Sequence, residues 1–358
     1  MGTRATQIAV GLTLAAAALR FATLDVQSIW LDEAATIALV HRGFSGMLSH
    51  LPSSESSPPL YYVLVWAWTK VFGAGPLGFR SFSALAGTAT VPVLYVGGRS
   101  ISPRVGLWAA ALATVNPALY YYSQEARCYA LLILLCAGAL VLWQRALQAP
   151  STRRVALWAG VSILALLTHY FAAFLFVPEA IVLARRLGWR RLLAPSGAVV
   201  AVGVALLPLA IRQREGGRKA AWIEATPLHT RIAQTAKEFV IGVYGPLEIV
   251  TAALGGLLVL GLLTLLLRRA GALERHAARD VALVAAVALL LPLAGSATHV
   301  VDVFDGRNVI GTWGAAGILF AIGLGCARAS CAGALLGLCL CALSLAVIVG
   351  IDVGPGYQ

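Results

Sequence analysis

The chain has 358 residues, 59% of them hydrophobic and only 12% charged, with a mean hydropathy of +0.84 and a formal charge of +12. No soluble domain of this length needs so much apolar surface, so the composition excludes a soluble globular protein and points to a polytopic membrane protein. The six cysteines lie mostly inside apolar runs without any Cys-X-X-Cys spacing, which argues against a disulfide framework or a zinc site.

The first apolar run, 6–24, follows Arg4 and is itself followed by more spans, so it reads as an uncleaved helix rather than a signal peptide. Ten further spans are predicted near 80–98, 105–121, 128–146, 155–171, 172–185, 193–211, 248–267, 280–297, 309–327 and 330–350. With the N-terminus inside, the inner loops hold 15 of the 27 basic residues, from Arg4 to Arg328, against only Glu274 and Asp280. The outer side is then near neutral, with Glu179 inside a span. This positive-inside asymmetry accounts for the basic charge without a nucleic-acid partner.

The run from Pro58 to Gly73 is apolar but only 16 residues long, short for a hydrocarbon core about 30 Å thick. Tyr61, Val65, Trp68 and Phe72 share one face of it, and Lys70 adds charge. Counting it as a span would turn the basic loops outward, so it reads as an interfacial helix. The first outer loop then runs from about 25 to 79, with helices near 32–42 and 59–73, and carries Asp25, Asp32, Glu33 and Glu55. Three more outer segments are richer than connectors. They are Tyr120–Tyr129, the segment 212–247 with Arg212, Arg214, Arg218, Lys219, Glu224 and an amphipathic stretch near 229–240, and Asp302–Asn308. The expected architecture is all-α, a single transmembrane domain over 1–358 of about 11 helices. Residues 1–185 carry most candidate residues, 186–358 add further spans, and no separate soluble domain is expected.

Asp32 and Glu33 stand side by side just past the first span. Carboxylates beside a bilayer are costly, so a pair there suggests chemistry on a lipid-borne substrate. Like charges this close favour one of the two holding a proton, which suits a base and its partner. The same residues fit a helix N-cap, and both roles can hold at once. Glu55 reads either as a solvated loop carboxylate or as a second acid facing a substrate or a basic residue. Glu125 and Arg127 lie among four tyrosines at a span mouth. Tyrosines alone would form an aromatic belt, but Arg is suited to bidentate phosphate recognition. His169 and Tyr170 close the fifth span, where a histidine is usually a cap or a packing residue. Arg307 and Arg80, each at an outer helix end, both fit snorkelling side chains. No phosphate loop, HExxH or GxSxG stands in a credible setting, so soluble-type nucleotide and zinc-hydrolase chemistry is excluded.

Four stretches share an order: Trp30-Leu31-Asp32-Glu33; Glu55 through Tyr62 with Phe79-Arg80-Ser81 after it; Asn116-Pro117 through Tyr129; and Leu167-Thr168-His169-Tyr170-Phe171. Together they resemble the C-type membrane glycosyltransferases, most closely the protein O-mannosyltransferase and lipid A aminoarabinose transferase branch, glycosyltransferase family 39. The resemblance covers roughly residues 20–185, with Arg307 the one later position that fits. It implies a sugar donor on a polyprenyl phosphate, an inverting displacement at the outer face of the plasma or inner membrane, and a glycan, lipid or protein acceptor. Asp32 would deprotonate the acceptor hydroxyl, with Glu33 beside it as a second catalytic acid. Glu33 and Glu55 would orient donor or acceptor. Arg127, His169 and Arg307 would bind the lipid phosphate and stabilise it as it leaves. Tyr61, Glu125, Tyr129 and Tyr170 complete the expected substrate-binding set. Such a donor carries an activated leaving group, so no cofactor is required and no divalent metal is indicated.

Two departures stand out. Ser56 and Ser57 replace a basic residue often found beside the position of Glu55, and the soluble outer domain of the family's larger members is not expected here. Two rivals compete with the enzyme reading. A lipid-linked sugar flippase would carry polar residues mid-span and repeats in two halves, whereas here the acids gather at one surface. A catalytically dead scaffold would have no need of Asp32, Glu33 and Arg127 together.

Overall fold

The computed structural model describes residues 2–215 and 221–354; Arg218 and Lys219 lie outside the described residues. Among those described, the chain is helical without strands. Gly2–Phe21 (α1) leads to three shorter helices, Leu31–Val40 (α2), Gly43–Ser54 (α3) and Leu60–Phe72 (α4). Then come Pro76–Arg99 (α5), Pro103–Val115 (α6), Pro117–Ser123 (α7), Tyr129–Gln148 (α8), Thr152–Thr168 (α9) and Ala173–Leu187 (α10). Trp189–Glu215 (α11), Ala221–Ala225 (α12) and Leu228–Ile241 (α13) follow. The chain closes with Glu248–Arg269 (α14), Ala272–Ala297 (α15), Gly306–Val309 (α16), Trp313–Gly325 (α17) and Ser330–Val353 (α18).

Each predicted span coincides with helix. Six stretches among the described residues are long and apolar enough to cross a membrane: α8, α11, α14, α15, 306–325 and 331–353. The other expected spans are shorter or less apolar, so length and composition establish six of the eleven.

Three local features differ from the sequence reading. The span expected at 105–121 is two helices, because Pro117 lacks an N–H and Asn116 is extended, its side chain accepting from the Leu119 N–H. The carbonyls of Ala113 and Thr114 freed by this break are bonded by the guanidinium of Arg20, fully buried in α1. The first outer loop holds three helices rather than two, since α3, with Pro52 inside it and serines at its end, was masked as loop. In α4 the buried stripe is Tyr61, Tyr62, Val65 and Thr69, while Trp68 and Phe72 stack on each other at 3.9 Å and Phe72 is exposed. The predicted face of four is therefore split.

Helices α5, α6, α8, α9 and α17 form the centre, with α1 packed on α5 and α6. Trp143, Trp158 and Trp313 are buried there. Glu179 in α10 is buried too, its carboxylate accepting from Trp158 Nε1 at 2.7 Å and its carbonyl from Trp143. The two ends of the bundle differ. One end joins the C-termini of α5 and α8, where Gln148 donates to Ser100, and the α10 and α15 ends, where Arg186 meets Asp280 at 3.2 Å. Most of the predicted inner arginines lie in the turns at this end. The opposite end gathers the starts of α5 and α8, the end of α9 and the short α16, and it carries the candidate residues.

Candidate active site

Helix α2 brings Asp32 and Glu33 into its first turn, with Trp30 rather than Asp32 at the cap position. The two carboxylates then part company. Glu33 points inward and is buried, where Arg80 grips it with Nε and Nη2 at 2.8 and 2.7 Å. Arg80 spends its remaining donors on the carbonyls of Leu24, Gln27 and Ser28, and Glu33 also accepts from the Ala126 N–H. Arg80 is thus no snorkelling side chain. It is buried, and stitches the loop after α1 and the start of α2 to the start of α5. Asp32 faces outward, its side chain 37% exposed.

Glu55 ends α3 and is buried, accepting from Arg127 Nη1 at 3.2 and 2.9 Å. The same nitrogen donates to the Asp32 carbonyl and to Thr36 Oγ1, while the buried Arg127 Nε has no hydrogen-bond partner among the described residues. Glu55 is therefore neither solvated nor a loose loop acid. It anchors the cation. Gln213 near the end of α11 bonds the Ser57 carbonyl, and Tyr170 donates to Gln213 at 2.7 Å, so Tyr170 braces this loop.

Arg307 stands on α16, whose first turn is capped by Asp305. Its Nη1 lies 3.5 Å from Asp32 Oδ2, its Nε lies 3.8 Å from Asp305, and its guanidinium lies over the Trp30 ring at 5.7 Å. With a side chain 27% exposed, Arg307 and Asp32 are the partly open charges above a buried network.

Glu125 is buried between these groups. Among the described residues neither oxygen is in hydrogen-bond geometry with a donor, although the Tyr121 hydroxyl lies close, and burial pushes its pKa up to about 7. Both Arg127 and Arg307 act on it electrostatically, and both also act on Tyr129. Tyr129 packs beside Tyr122 and His169, at ring distances of 5.0 and 6.0 Å. His169 is buried. Its Nδ1 accepts from the Phe171 N–H at 3.4 Å, which assigns the proton to Nε2. With its proton on Nε2, His169 can donate a hydrogen bond from that nitrogen. Tyr61 is fully buried among Tyr62 and Phe82, without access to a surface substrate. Among the described residues no group of three or more His, Cys, Asp and Glu is arranged to hold a metal ion.

Sequence reasoning passed over Glu238 on α13, buried and accepting from Tyr122 at 2.6 Å, with a pKa raised by burial to about 7. Its only sequence signal is its place in the amphipathic stretch near 229–240. Gln213 gave no signal, because its partners lie far away in the chain.

Residues 56–211 match the family profile of the dolichyl-phosphate-mannose-protein mannosyltransferases. ArnT from Cupriavidus metallidurans in the apo state superposes with a TM-score of 0.63 at 16% identity, over 90% of this chain and 60% of that one. The chain has the fold of the C-type membrane glycosyltransferases. The same ArnT bound to undecaprenyl phosphate gives a TM-score of 0.61 at 16% identity, over 88% of this chain and 59% of that one. The oligosaccharyltransferase of Archaeoglobus fulgidus, in complex with Zn and sulfate, gives 0.52 at 15% identity, over 98% of this chain and 52% of that one. The chain thus spans about 60% of the length of the ArnT structures that share this C-type fold. Curated proteins yield no sequence match.

Proposed function

We propose that the chain transfers a sugar from a polyprenyl phosphate to an acceptor hydroxyl at the outer face of the cell membrane. The acceptor is a glycan, a lipid or a protein. The observation that carries this reading is the facing pair of Asp32 and Arg307, 3.5 Å apart and both partly open, above a buried network. The acceptor oxygen attacks the anomeric carbon while its proton passes to the Asp32 carboxylate. The bond from that carbon to the phosphate oxygen breaks, so the configuration inverts. The leaving phosphate gains charge, which Arg307 and Arg127 are positioned to stabilise. Arg127 Nε, which has no hydrogen-bond partner among the described residues, supplies a further donor.

The other acids have different work. Glu33 acts through Arg80, and Glu55 through Arg127, so both are positioning residues rather than groups that touch the sugar. Their ion pairs hold the Ala126–Arg127 segment against α2. The outer side follows from charge, since most inner-loop arginines lie at the opposite end and the N-terminus is then cytoplasmic.

The test is a membrane assay with a panel of polyprenyl-phosphate sugars, comparing wild type with Asp32→Asn. Donor consumption that persists at the wild-type rate in Asp32→Asn would sink the base assignment. A lipid that changes leaflet without being consumed would instead favour a transporter.

A further inference from the structure

Two segments carry the site cations: the α7–α8 junction holds Arg127, and the 302–309 segment holds Arg307. They are distant in sequence, and α13 joins them. Arg231 on α13 pairs with both carboxylate oxygens of Asp302 at 2.7 and 3.0 Å, and also donates to the Phe304 carbonyl. The carbonyls of Phe239 and Val240 at its far end accept from Asn116, and Phe239 also accepts from Trp313. At the centre of this clamp stands Glu238. One of its oxygens accepts from Tyr122 on α7 at 2.6 Å. The other lies against Gly306, so closely that a Cβ there would collide with the carboxylate. Gly306 immediately precedes Arg307.

We propose that Glu238 is a positioning residue: by accepting from Tyr122 and packing against Gly306, it sets Arg307 at the height where a lipid phosphate is held. The proposal rests on the functional reading above. A buried carboxylate is costly and contributes little as packing, so its place between the two cation-bearing segments calls for a positioning role. Arg307 stands on the short turn that begins at Gly306, so the place of that backbone sets where the guanidinium starts from. Gly306 is glycine because the Glu238 carboxylate fills the space of a side chain.

The experiment measures affinity for undecaprenyl phosphate with the full chain, reconstituted, alongside melting temperature. Glu238→Asp, Tyr122→Phe and Gly306→Ala are each made alone and in an Arg307→Gln background. Tyr122→Phe removes only a hydroxyl, so it stays informative if Glu238→Asp fails to fold. In folded protein the single changes should weaken binding roughly tenfold to a hundredfold, the loss expected of a displaced phosphate donor. In the Arg307→Gln background they should add little, because the group being positioned is gone. The donor KM should rise more than kcat falls. Unchanged affinity in folded Tyr122→Phe and Gly306→Ala overturns the proposal alone. So does a loss of equal size with and without Arg307. A wild type that does not bind the lipid phosphate overturns the functional reading and this inference with it.

Discussion

Arg80 and Glu33 meet through two parallel hydrogen bonds of 2.8 and 2.7 Å, fully out of water. The pair neighbours Asp32 in sequence but lies behind it in space. Removing one partner of a buried pair leaves an uncompensated charge, at a cost of about 3–5 kcal/mol. Arg80→Ala and Glu33→Ala should therefore lower the melting temperature sharply in detergent. Arg80→Lys should rescue little, because an ammonium cannot match the fork or reach three further carbonyls. A Glu33→Ala protein that melts like wild type yet has lost all turnover would show that Glu33 belongs to the chemistry instead.

Asp32 and Arg307 invite the opposite pattern. Both are partly exposed, so their loss should leave melting nearly unchanged. Asp32→Asn should reduce kcat by roughly a hundredfold to ten-thousandfold, the usual contribution of a general base. Arg307→Gln should weaken donor binding as well as slow turnover, since phosphate is held both before and during departure. Steady-state kinetics on both variants, with donor and acceptor varied in turn, separates the two effects.

Much of this site was legible as chemistry and little of it as geometry. His169 and Arg307 entered only through the family resemblance, whereas Asp32, Glu33, Glu55 and Arg127 could be named because costly residues at a membrane surface attract notice. Their division of labour could not. Adjacent residues on a helix point about 100° apart, so Glu33 is buried while Asp32 faces solvent. Nothing local tells which of the two turns inward. Arg80 was passed over because an arginine at a helix end has a cheap explanation, and its five oxygen contacts are all with residues some 50 positions away. Tyr61 was over-read because an amphipathic helix does not declare which apolar face meets protein and which meets lipid. The helical runs themselves were plain, since a 59% hydrophobic chain marks each one. The break at Asn116-Pro117 was visible as letters and overlooked as a helix boundary.

The side of the membrane is open to a direct check. Ser56 lies exposed at the site end, and Thr152 lies exposed at the start of α9 at the opposite end. Ser56→Cys should react with an impermeant thiol reagent added outside intact cells. Thr152→Cys should react only after the membrane is opened. The exposed Cys331 and Cys339 need replacement by serine first. Ser57 is unsuitable because it is buried. Reactivity of both positions from outside would break the topology, and with it the outer-face site.

Glu125 supplies a prediction in pH. Its folded-state pKa, about 7, lies above the ordinary 4.5 because burial penalises the charged form. Between those values the folded state holds a proton that the unfolded chain has released. Stability therefore falls as pH rises through this window, and the full penalty, about 3 kcal/mol, applies above it. Glu125→Gln removes the charge at similar volume. It should raise the melting temperature at about pH 8, and the gain should vanish near about pH 4. A gain that does not change with pH would mean that the Glu125 carboxyl titrates alike in the folded and unfolded chain. A chain that tolerates a destabilising carboxylate between two arginines is best explained by what those arginines must hold. Glu125→Gln should accordingly gain stability while losing turnover, and the two measurements on one variant decide whether the charge serves the fold or the reaction.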